Sequence, residues 1–414
     1  MKAGYVLLDG CGDRPDARLN FTTPLEAALT PNLDRIAVGS KLGRVVTVGR
    51  GISPESDIAV FNMLGYSFKE GYPGRGVVEA VGAGIRFENG DLALRANLAS
   101  ARGREIVDRR AGRDLTQDEA DKLVQELKGI ELAGARFEFR ATVSYRGVLV
   151  IRADEPLSAA VSNTDPAYER MGGFGAAKET SRREQIALCR PEARTNASIR
   201  AAELINEFTE KSQEVLRRSD VNTARVSEGK LPANCILLRD AGDHLPVVQS
   251  FRERHGINGT ALVEMPAEVG IARILGMKTV EIKDRDDMKE KARLFRRELT
   301  DGSLVYVHIK GPDVFGHDGD PVGKMRCIES IDRDFFSAVE KCRDDSVIGV
   351  SCDHATPCAM KMHSDDPVPL LITSSRPDGM RFNEKQAAKG SLGTLMGADV
   401  LSILLRKPVR HRRR

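Results

Sequence analysis

At 414 residues the chain is long for a single core, so two domains are expected. Its 41% hydrophobic and 30% charged content excludes global disorder. The near balance of 63 basic and 60 acidic side chains, a formal net charge of +3, argues against a general nucleic-acid binder, which carries a basic excess.

The chain enters a first strand at Tyr5-Val-Leu-Leu8, which ends at Asp9-Gly10. Thr23-Pro24 and Thr30-Pro31 are helix starts, with proline at the first helical position. Val45–Val48 is a second strand, and Ser56-Asp57 opens a helix that runs to Leu64. After the breaker-rich stretch Gly71–Gly76 the character changes. Ile85–Leu98 alternates around Asn89-Gly90, a hairpin signal. Glu105–Asp108 is a strand, and Thr116–Leu127 is an amphipathic helix with a capping-box start at Thr116 and Glu119. Arg136–Val143 and Tyr145–Arg152 pair around Arg146-Gly147, residues 172–195 are a loop with a short helix, Ala197–Leu216 is a long helix, and Cys235–Leu238 is a strand ending at Arg239. From about 246 strands and helices alternate. The strands are Thr260–Glu264, Thr279–Lys283, Leu304–Ile309, Ser346–Ser351 and Val368–Thr373. The helices are Glu268–Leu275, Asp287–Leu299, Lys324–Cys342 and Leu392–Leu405. The pattern predicts an α/β core, 1–74 with 246–414, whose mostly parallel central sheet is flanked by helices. An α+β cap, 75–245, is inserted into it.

Seven scattered cysteines without a Cys-x-x-Cys pair indicate a reducing compartment, hence the cytoplasm. The chain begins at its first strand, so no signal peptide is expected, and no apolar run is long enough to span a bilayer. The basic run Arg406–Arg414 reads as a solvated terminus.

Three strands end in metal-ligating side chains, and in open α/β sheets ligands gather outside the carboxyl ends of strands. One ends at Asp9, one leads through Lys310-Gly-Pro312 to Asp313 and His317, and one ends at Asp353-His354, with His363 soon after. Side by side, these strands would bring Asp9, Asp313, His317, Asp353, His354 and His363 to one place. Carboxylates with imidazoles suit Zn²⁺, Mn²⁺ and similar ions. Asp313 and His317 would stand one helical turn apart. Asp353 and His354, adjacent at a strand end, would diverge toward different ions. Cys352 and Cys358 flank this loop and are read as structural, although soft ligands are the alternative. A pair of divalent ions clamps displacement at phosphorus and calls for a nucleophile. Ser56, at a helix start where an anion is favoured, is the choice; its plainer reading is an N-cap.

These segments, in this order, resemble a known family. Asp9-Gly10, Thr30-Pro-Asn-Leu-Asp34, Pro54-Glu-Ser-Asp57, Gly74-Arg-Gly-Val-Val-Glu-Ala80, His308-Ile-Lys-Gly-Pro-Asp313 with Gly316-His-Asp-Gly319, and Cys352-Asp-His-Ala-Thr-Pro357 with His363-Ser364 look like the archaeal-type cofactor-independent phosphoglycerate mutases of the alkaline phosphatase superfamily. The likeness spans nearly the whole chain. Asn163-Thr-Asp-Pro-Ala-Tyr168 narrows it to this branch, while Arg95-Ala-Asn-Leu-Ala-Ser100 departs from the more usual Arg-Cys-Asn-Phe-Ala-Thr. Lys178 and Glu179 fit the branch pattern without an evident chemical role.

The resemblance implies interconversion of 3-phosphoglycerate and 2-phosphoglycerate through a phosphoserine and two divalent ions (Mn²⁺, Zn²⁺ or Co²⁺), without 2,3-bisphosphoglycerate. Asp313, His317 and His363 would hold one ion; Asp9, Ser56, Asp353 and His354 the other. Ser56 would be the nucleophile. Asp165 would be the acid/base, its plainer reading being an Asx turn before Pro166. Arg109, Arg110, Arg113, Asn163 and Arg239 would meet the doubly anionic substrate, with a solvated surface arginine the plainer reading for each. A cap protects a phosphoserine from water, and Gly71–Gly76 and the region near Pro246 are the expected hinges. Partners would be the small substrate, with neither nucleic acid nor membrane; a homo-oligomer is compatible with the sequence. The alternatives are a homoserine-kinase-like phosphotransferase, a phosphohydrolase, and a non-catalytic protein that kept the fold.

Overall fold

The computed structural model describes residues 1–67, 72–171, 174–177, 184–282, 284 and 287–405. Lys178, Glu179, Gly71, Lys283 and the basic run 406–414 lie outside them. The chain divides into two units: Met1–Tyr72 with Val248–Glu264 and Leu275–Arg414, and Pro73–Val247 with Met265–Ile274. In chain order the described strands are β1 (Lys2–Leu8), β2 (Ser40–Val46), β3 (Leu92–Arg102), β4 (Glu105–Asp108), β5 (Ala135–Ala141), β6 (Arg146–Ala153), β7 (Tyr168–Met171), β8 (Phe174–Ala177), β9 (Cys235–Gly242), β10 (Asn258–Val263), β11 (Lys278–Glu281), β12 (Ser303–Ile309), β13 (Val347–Cys352), β14 (Val368–Thr373) and β15 (Gly393–Met396).

The first unit holds one sheet in the order β11-β10-β12-β1-β13-β14-β2-β15. All neighbours run parallel except β14, which is antiparallel to both β13 and β2. Continuous apolar runs such as Leu304–Ile309 are what a parallel strand covered on both faces requires, and β12 and β13 are buried throughout. Gly4 lets Phe295 of the helix Met288–Glu298 press against one face, and Gly349 lets Leu404 of the helix Gly397–Leu405 press against the other. The register pairs Gly4 with Ile348 and Tyr5 with Gly349, so these two glycines point to opposite sides.

Several boundaries differ from the sequence reading. β2 spans Ser40–Val46 instead of Val45–Val48. The helix expected over Leu392–Leu405 is a strand, β15, followed by a shorter helix from Gly397, because Gly393–Met396 adds to the edge of β2. The helix expected over Lys324–Cys342 starts at Pro321 and widens at Asp332–Phe336. There the Asp332 carboxylate accepts from the backbone N–H groups of Asn32 (3.2 Å) and Leu33 (2.7 Å). It thus caps the helix Pro31–Val38 in place of the Thr30 side chain. Among the described residues no helix is long and apolar enough to cross a membrane.

The second unit is built on the antiparallel order β4-β3-β6-β5, with β9 on the other side of β3. The two-residue period sorts its side chains. Leu92, Leu94, Ala96, Leu98, Leu149 and Ile151 join the core with the helices Gln117–Leu127 and Asn196–Arg217. Ala93, Val148 and Val150 turn the other way, onto Val77 and Ala80 of the helix Arg75–Gly82. Thr116 and Glu119 form the expected capping box. Asn89-Gly90 does not make a hairpin: β3 begins only at Leu92, and the two residues are held by Gly90 N–H donating to Asp243 O and Leu245 N–H to Asn89 Oδ1. The β5–β6 turn lies at Thr142–Tyr145, with Ser144 at φ 54°, and Gly147 is already in β6. In the stretch expected to be a loop with a short helix, Phe174–Ala177 is strand β8, paired with β7, and 184–195 is a loop; 172–173 and 178–183 lie outside the described residues. The helices Arg75–Gly82 and Asp220–Ser227 were not anticipated.

The helix Pro266–Ile274 belongs to the second unit because it lies against Arg75–Gly82 at backbone distance. A Cβ on Gly270 would overlap the Val78 carbonyl oxygen, and one on Gly82 the Pro266 carbonyl oxygen. Gly270→Ala is therefore expected to cost roughly 2–4 kcal/mol, read from urea unfolding. An unchanged midpoint and slope would refute this packing.

Candidate active site

β12, β1 and β13 are consecutive in the sheet, and their ends are level: Leu8 is in register with both Ile309 and Cys352. Asp9, Lys310 and Asp353 therefore leave the sheet side by side. Gly10 makes the turn at φ 56°, and a Cβ there would stand 2.7 Å from Thr356 Oγ1 and collide with the Asp313 carboxylate. Its N–H donates to Asp353 Oδ1 at 3.0 Å.

The helix Pro312–Asp318 forms as the spacing predicts, with Asp313 and His317 one turn apart. His317 Nε2 is 3.5 Å from Asp313 Oδ2, His363 Nε2 is 3.6 Å from Asp313 Oδ1, and the two Nε2 atoms are 3.3 Å apart. Each ring places its Nδ1 against a carbonyl oxygen, His317 on Lys361 (3.1 Å) and His363 on Pro54 (2.8 Å). A carbonyl only accepts, so each Nδ1 carries a proton, and in the neutral ring each Nε2 presents a lone pair. Two lone pairs and a carboxylate facing one point repel one another without a cation among them. That donor set fits a divalent ion.

A second group adjoins it. His354 Nε2 is 3.4 Å from Asp9 Oδ1 and 3.4 Å from Asp353 Oδ2. Asp353 and His354 therefore converge instead of diverging, because both follow the end of β13, where the two-residue alternation has stopped. Ser56 is the first residue of the helix Ser56–Met63, whose N-cap is Glu55. Its Oγ lies 3.3 Å from Asp9 Oδ1 and 3.1 Å from His354 Nε2. The His354 and His363 rings stack at 3.8 Å between centroids, joining the two groups.

The charges are tightly balanced. Burial opposes ionisation of Asp9, but Lys310, His354 and His308 hold its carboxyl well below the usual range. Asp353 is likewise lowered: burial and Asp9 oppose its charge, while His354 and His308 favour it. Burial disfavours the His354 cation, yet Asp353, Asp9 and Asp313 push its pKa up to about 9. Burial, and then His354, lower that of His363.

Some neighbours went unassigned in the sequence. His308 Nε2 is 3.3 Å from Asp353 Oδ2, and Lys310 Nζ is 3.1 Å from Asp9 Oδ2. A histidine inside the apolar run of β12, followed by a lysine where the strand ends, was the available signal. The fully buried Lys324 ammonium binds Gly12 O (3.2 Å), Thr356 O (3.0 Å) and Asp13 Oδ2 (2.8 Å), tying the loop after β1 to the loop after β13. Cys352 and Cys358 belong to none of the groups able to hold an ion among the described residues.

The other expected site residues lie in the second unit. Asp165 is 1% exposed. Its Oδ1 accepts from Arg109 Nε (3.0 Å) and from Ala167 N–H (3.1 Å), the latter an Asx turn, while its Oδ2 has no hydrogen-bond partner among the described residues. Arg109 also pairs with Glu184. Asn163 Oδ1 accepts from Asp240 N–H at 3.2 Å, and its Nδ2 donates to Tyr168 O at 3.0 Å. The Arg239 guanidinium lies 3.6 Å over the Tyr168 ring, within β9 and not at its end. Arg110 and Arg113 stand on the adjoining turn, where Ala111, Gly112 and Arg113 all have positive φ. Asp108 Oδ1, accepting from Arg110 and Gly112 N–H, and the buried Arg225, donating to Ala111 O, hold that turn. The Gly-Arg-Gly-x-x-Glu-Ala run places Arg75 and Glu79 in a buried network. Glu79 binds Arg75 (2.9 Å) and Arg95 (3.0 Å), and Arg95 reaches Asp240 (3.2 Å).

Sequence comparison decides the family. A protein of Aeropyrum pernix described as a 2,3-bisphosphoglycerate-independent phosphoglycerate mutase is 43% identical over 418 residues, which cover 96% of this chain and 97% of that one. This chain belongs to that family. Residues 37–222 match the model of the same family, 2,3-bisphosphoglycerate-independent phosphoglycerate mutase. Among solved structures, the PH0037 protein of Pyrococcus horikoshii is similar at a TM-score of 0.77 and 30% identity, over 99% of this chain and 98% of that one. The cofactor-independent phosphoglycerate mutase of Thermoplasma acidophilum is similar at 0.65 and 30%, over 98% and 99%. The Aeropyrum pernix and Thermoplasma acidophilum mutases cover 96% and 98% of this chain.

Proposed function

We propose that the protein is a phosphoglycerate mutase that interconverts 3-phosphoglycerate and 2-phosphoglycerate in the cytoplasm, independently of 2,3-bisphosphoglycerate. The observation that carries this reading, beside the family, is the Ser56 hydroxyl standing 3.3 Å from Asp9 and 3.1 Å from His354, at the edge of two adjoining donor sets. Asp313, His317 and His363 would hold one divalent ion; Asp9, Ser56, Asp353 and His354 the other. Mn²⁺, Zn²⁺ and Co²⁺ all suit these donors. Bound there, such ions lower the pKa of a hydroxyl and neutralise phosphoryl oxygens.

Ser56 Oγ attacks the phosphorus of 3-phosphoglycerate, the bond to the 3-oxygen breaks, and glycerate remains. The 2-hydroxyl of that glycerate then attacks the phosphoserine, which restores Ser56 and releases 2-phosphoglycerate. One glycerate oxygen must gain a proton as the other loses one. Asp165 is assigned this exchange, supported by its buried oxygen without a hydrogen-bond partner among the described residues. Arg109, Arg110, Arg113, Asn163 and Arg239 are assigned to the carboxylate and phosphate of the substrate, for which the arginine fork is shaped. A phosphoserine open to solvent would be hydrolysed, so the reaction calls for exclusion of water.

An enolase-coupled assay on the purified chain, with Mn²⁺ and 3-phosphoglycerate and no 2,3-bisphosphoglycerate, tests the proposal. Steady formation of 2-phosphoglycerate is expected. Release of inorganic phosphate in its place would establish a phosphohydrolase, and transfer to an added alcohol such as homoserine a phosphotransferase.

A further inference from the structure

Thr356 joins the two donor groups through one oxygen. It is fully buried, and its Oγ1 is 2.6 Å from Asp313 Oδ1 and 3.1 Å from His354 Nδ1. A carboxylate oxygen accepts, so the single hydroxyl proton points at Asp313. The remaining lone pairs of Oγ1 face the imidazole, and only a proton on Nδ1 can meet them. In the neutral ring this leaves the lone pair on Nε2, the atom 3.4 Å from Asp9 Oδ1 and 3.1 Å from Ser56 Oγ. His317 and His363 reach the same tautomer through main-chain carbonyls, Lys361 O and Pro54 O. Of these three histidines, His354 is the one set by a side-chain hydroxyl.

The hydroxyl has little freedom. Thr356 N–H donates to Gly12 O at 3.0 Å, and Thr356 O accepts from the buried Lys324 ammonium at 3.0 Å. Gly10 leaves the space that Oγ1 occupies.

We infer that Thr356 is a positioning residue that fixes the tautomer of His354 and the orientation of the Asp313 carboxylate with the same hydroxyl, and so sets one ligand of each ion. The inference rests on the two-ion reading above. It makes the two sites interdependent: removing one hydroxyl disorders a donor in each. Partners of this kind, which hold a ligand without touching the metal, change metal affinity by about 10–100-fold.

Zn²⁺ retention by the full-length chain against a competing chelator is the test, with Thr356→Val and Thr356→Ser beside the parent. Valine keeps the shape and removes the hydroxyl; serine keeps the hydroxyl and removes the methyl. The valine variant is expected to lose both ions at roughly 10–100-fold lower chelator activity, and the serine variant to match the parent. Parental retention by the valine variant, or an equal loss in the serine variant, would overturn the inference while leaving the two-ion reading intact. A parent chain that takes up no Zn²⁺ would overturn both. A second measurement does not depend on any variant folding: nitrogen–proton correlation spectra of the Zn²⁺-loaded parent. They should show the His354 proton on Nδ1. Finding it on Nε2 excludes the role assigned to Thr356.

Discussion

Ser56→Ala is expected to abolish mutase turnover, by about 10⁴-fold or more in the enolase-coupled assay. The reason is a lack of substitutes: the atom that must bond to phosphorus is Oγ, and its neighbours Asp9 and His354 are committed to each other, Asp9 also to Lys310 and His354 also to Asp353. The fold should be indifferent to the change. Ser56 is partly exposed, Glu55 provides the N-cap of that helix, and the next residue, Asp57, is held by Tyr72. Metal content should persist as well, because Asp9, Asp353 and His354 remain. A variant that loses turnover but keeps its ions separates the nucleophile from the metal cradle. Retained turnover would dismiss the phosphoserine route.

Removing the ions is the second large effect. Three carboxylates, Asp9, Asp313 and Asp353, are gathered with His317, His354 and His363, and Asp9, Asp353 and His354 are buried. Chelation is expected to stop turnover completely and re-addition of Mn²⁺, Zn²⁺ or Co²⁺ to restore it. The same ions should stabilise the fold by mass action: at a free concentration about 1,000 times the dissociation constant, one site contributes roughly 4 kcal/mol. Thermal unfolding with and without chelator reads this directly. Identical curves, together with undiminished turnover, would mean that the clustered donors have another purpose.

The fold and the donor cluster were legible where one local signal sufficed. An apolar run ending in a polar residue marked β1, β12 and β13, and their adjacency follows from parallel α/β packing. The i, i+4 spacing of Asp313 and His317 and the capping box at Thr116 needed only local geometry. What was missed depends on distant partners. Asn89-Gly90 looks like a hairpin until residues 243–245 supply its hydrogen bonds. The expected closing helix took in Gly393–Met396, which is a strand by virtue of the β2 edge. Asp353 and His354 were expected to part because strand alternation was carried one residue too far. Thr356 and Lys324 carry no signal of their own, since their importance lies in which atoms they reach across the sequence. The pairing of Arg109 with Asp165 was invisible for the same reason.

The reversed strand β14 has a consequence for how the donors can vary. Because it runs against β13, the chain need not cross the sheet to begin it, and the excursion 353–367 stays on a single side. One short span of backbone thus delivers Asp353 and His354 to one donor set and His363 to the other. The separation between the sets is measured out by chain length, like the jaws of a caliper, and less by how helices happen to settle. A single residue inserted between 357 and 362 would shift His363 relative to His354 and mistune the pair, whereas insertions beyond 374 leave the gauge untouched.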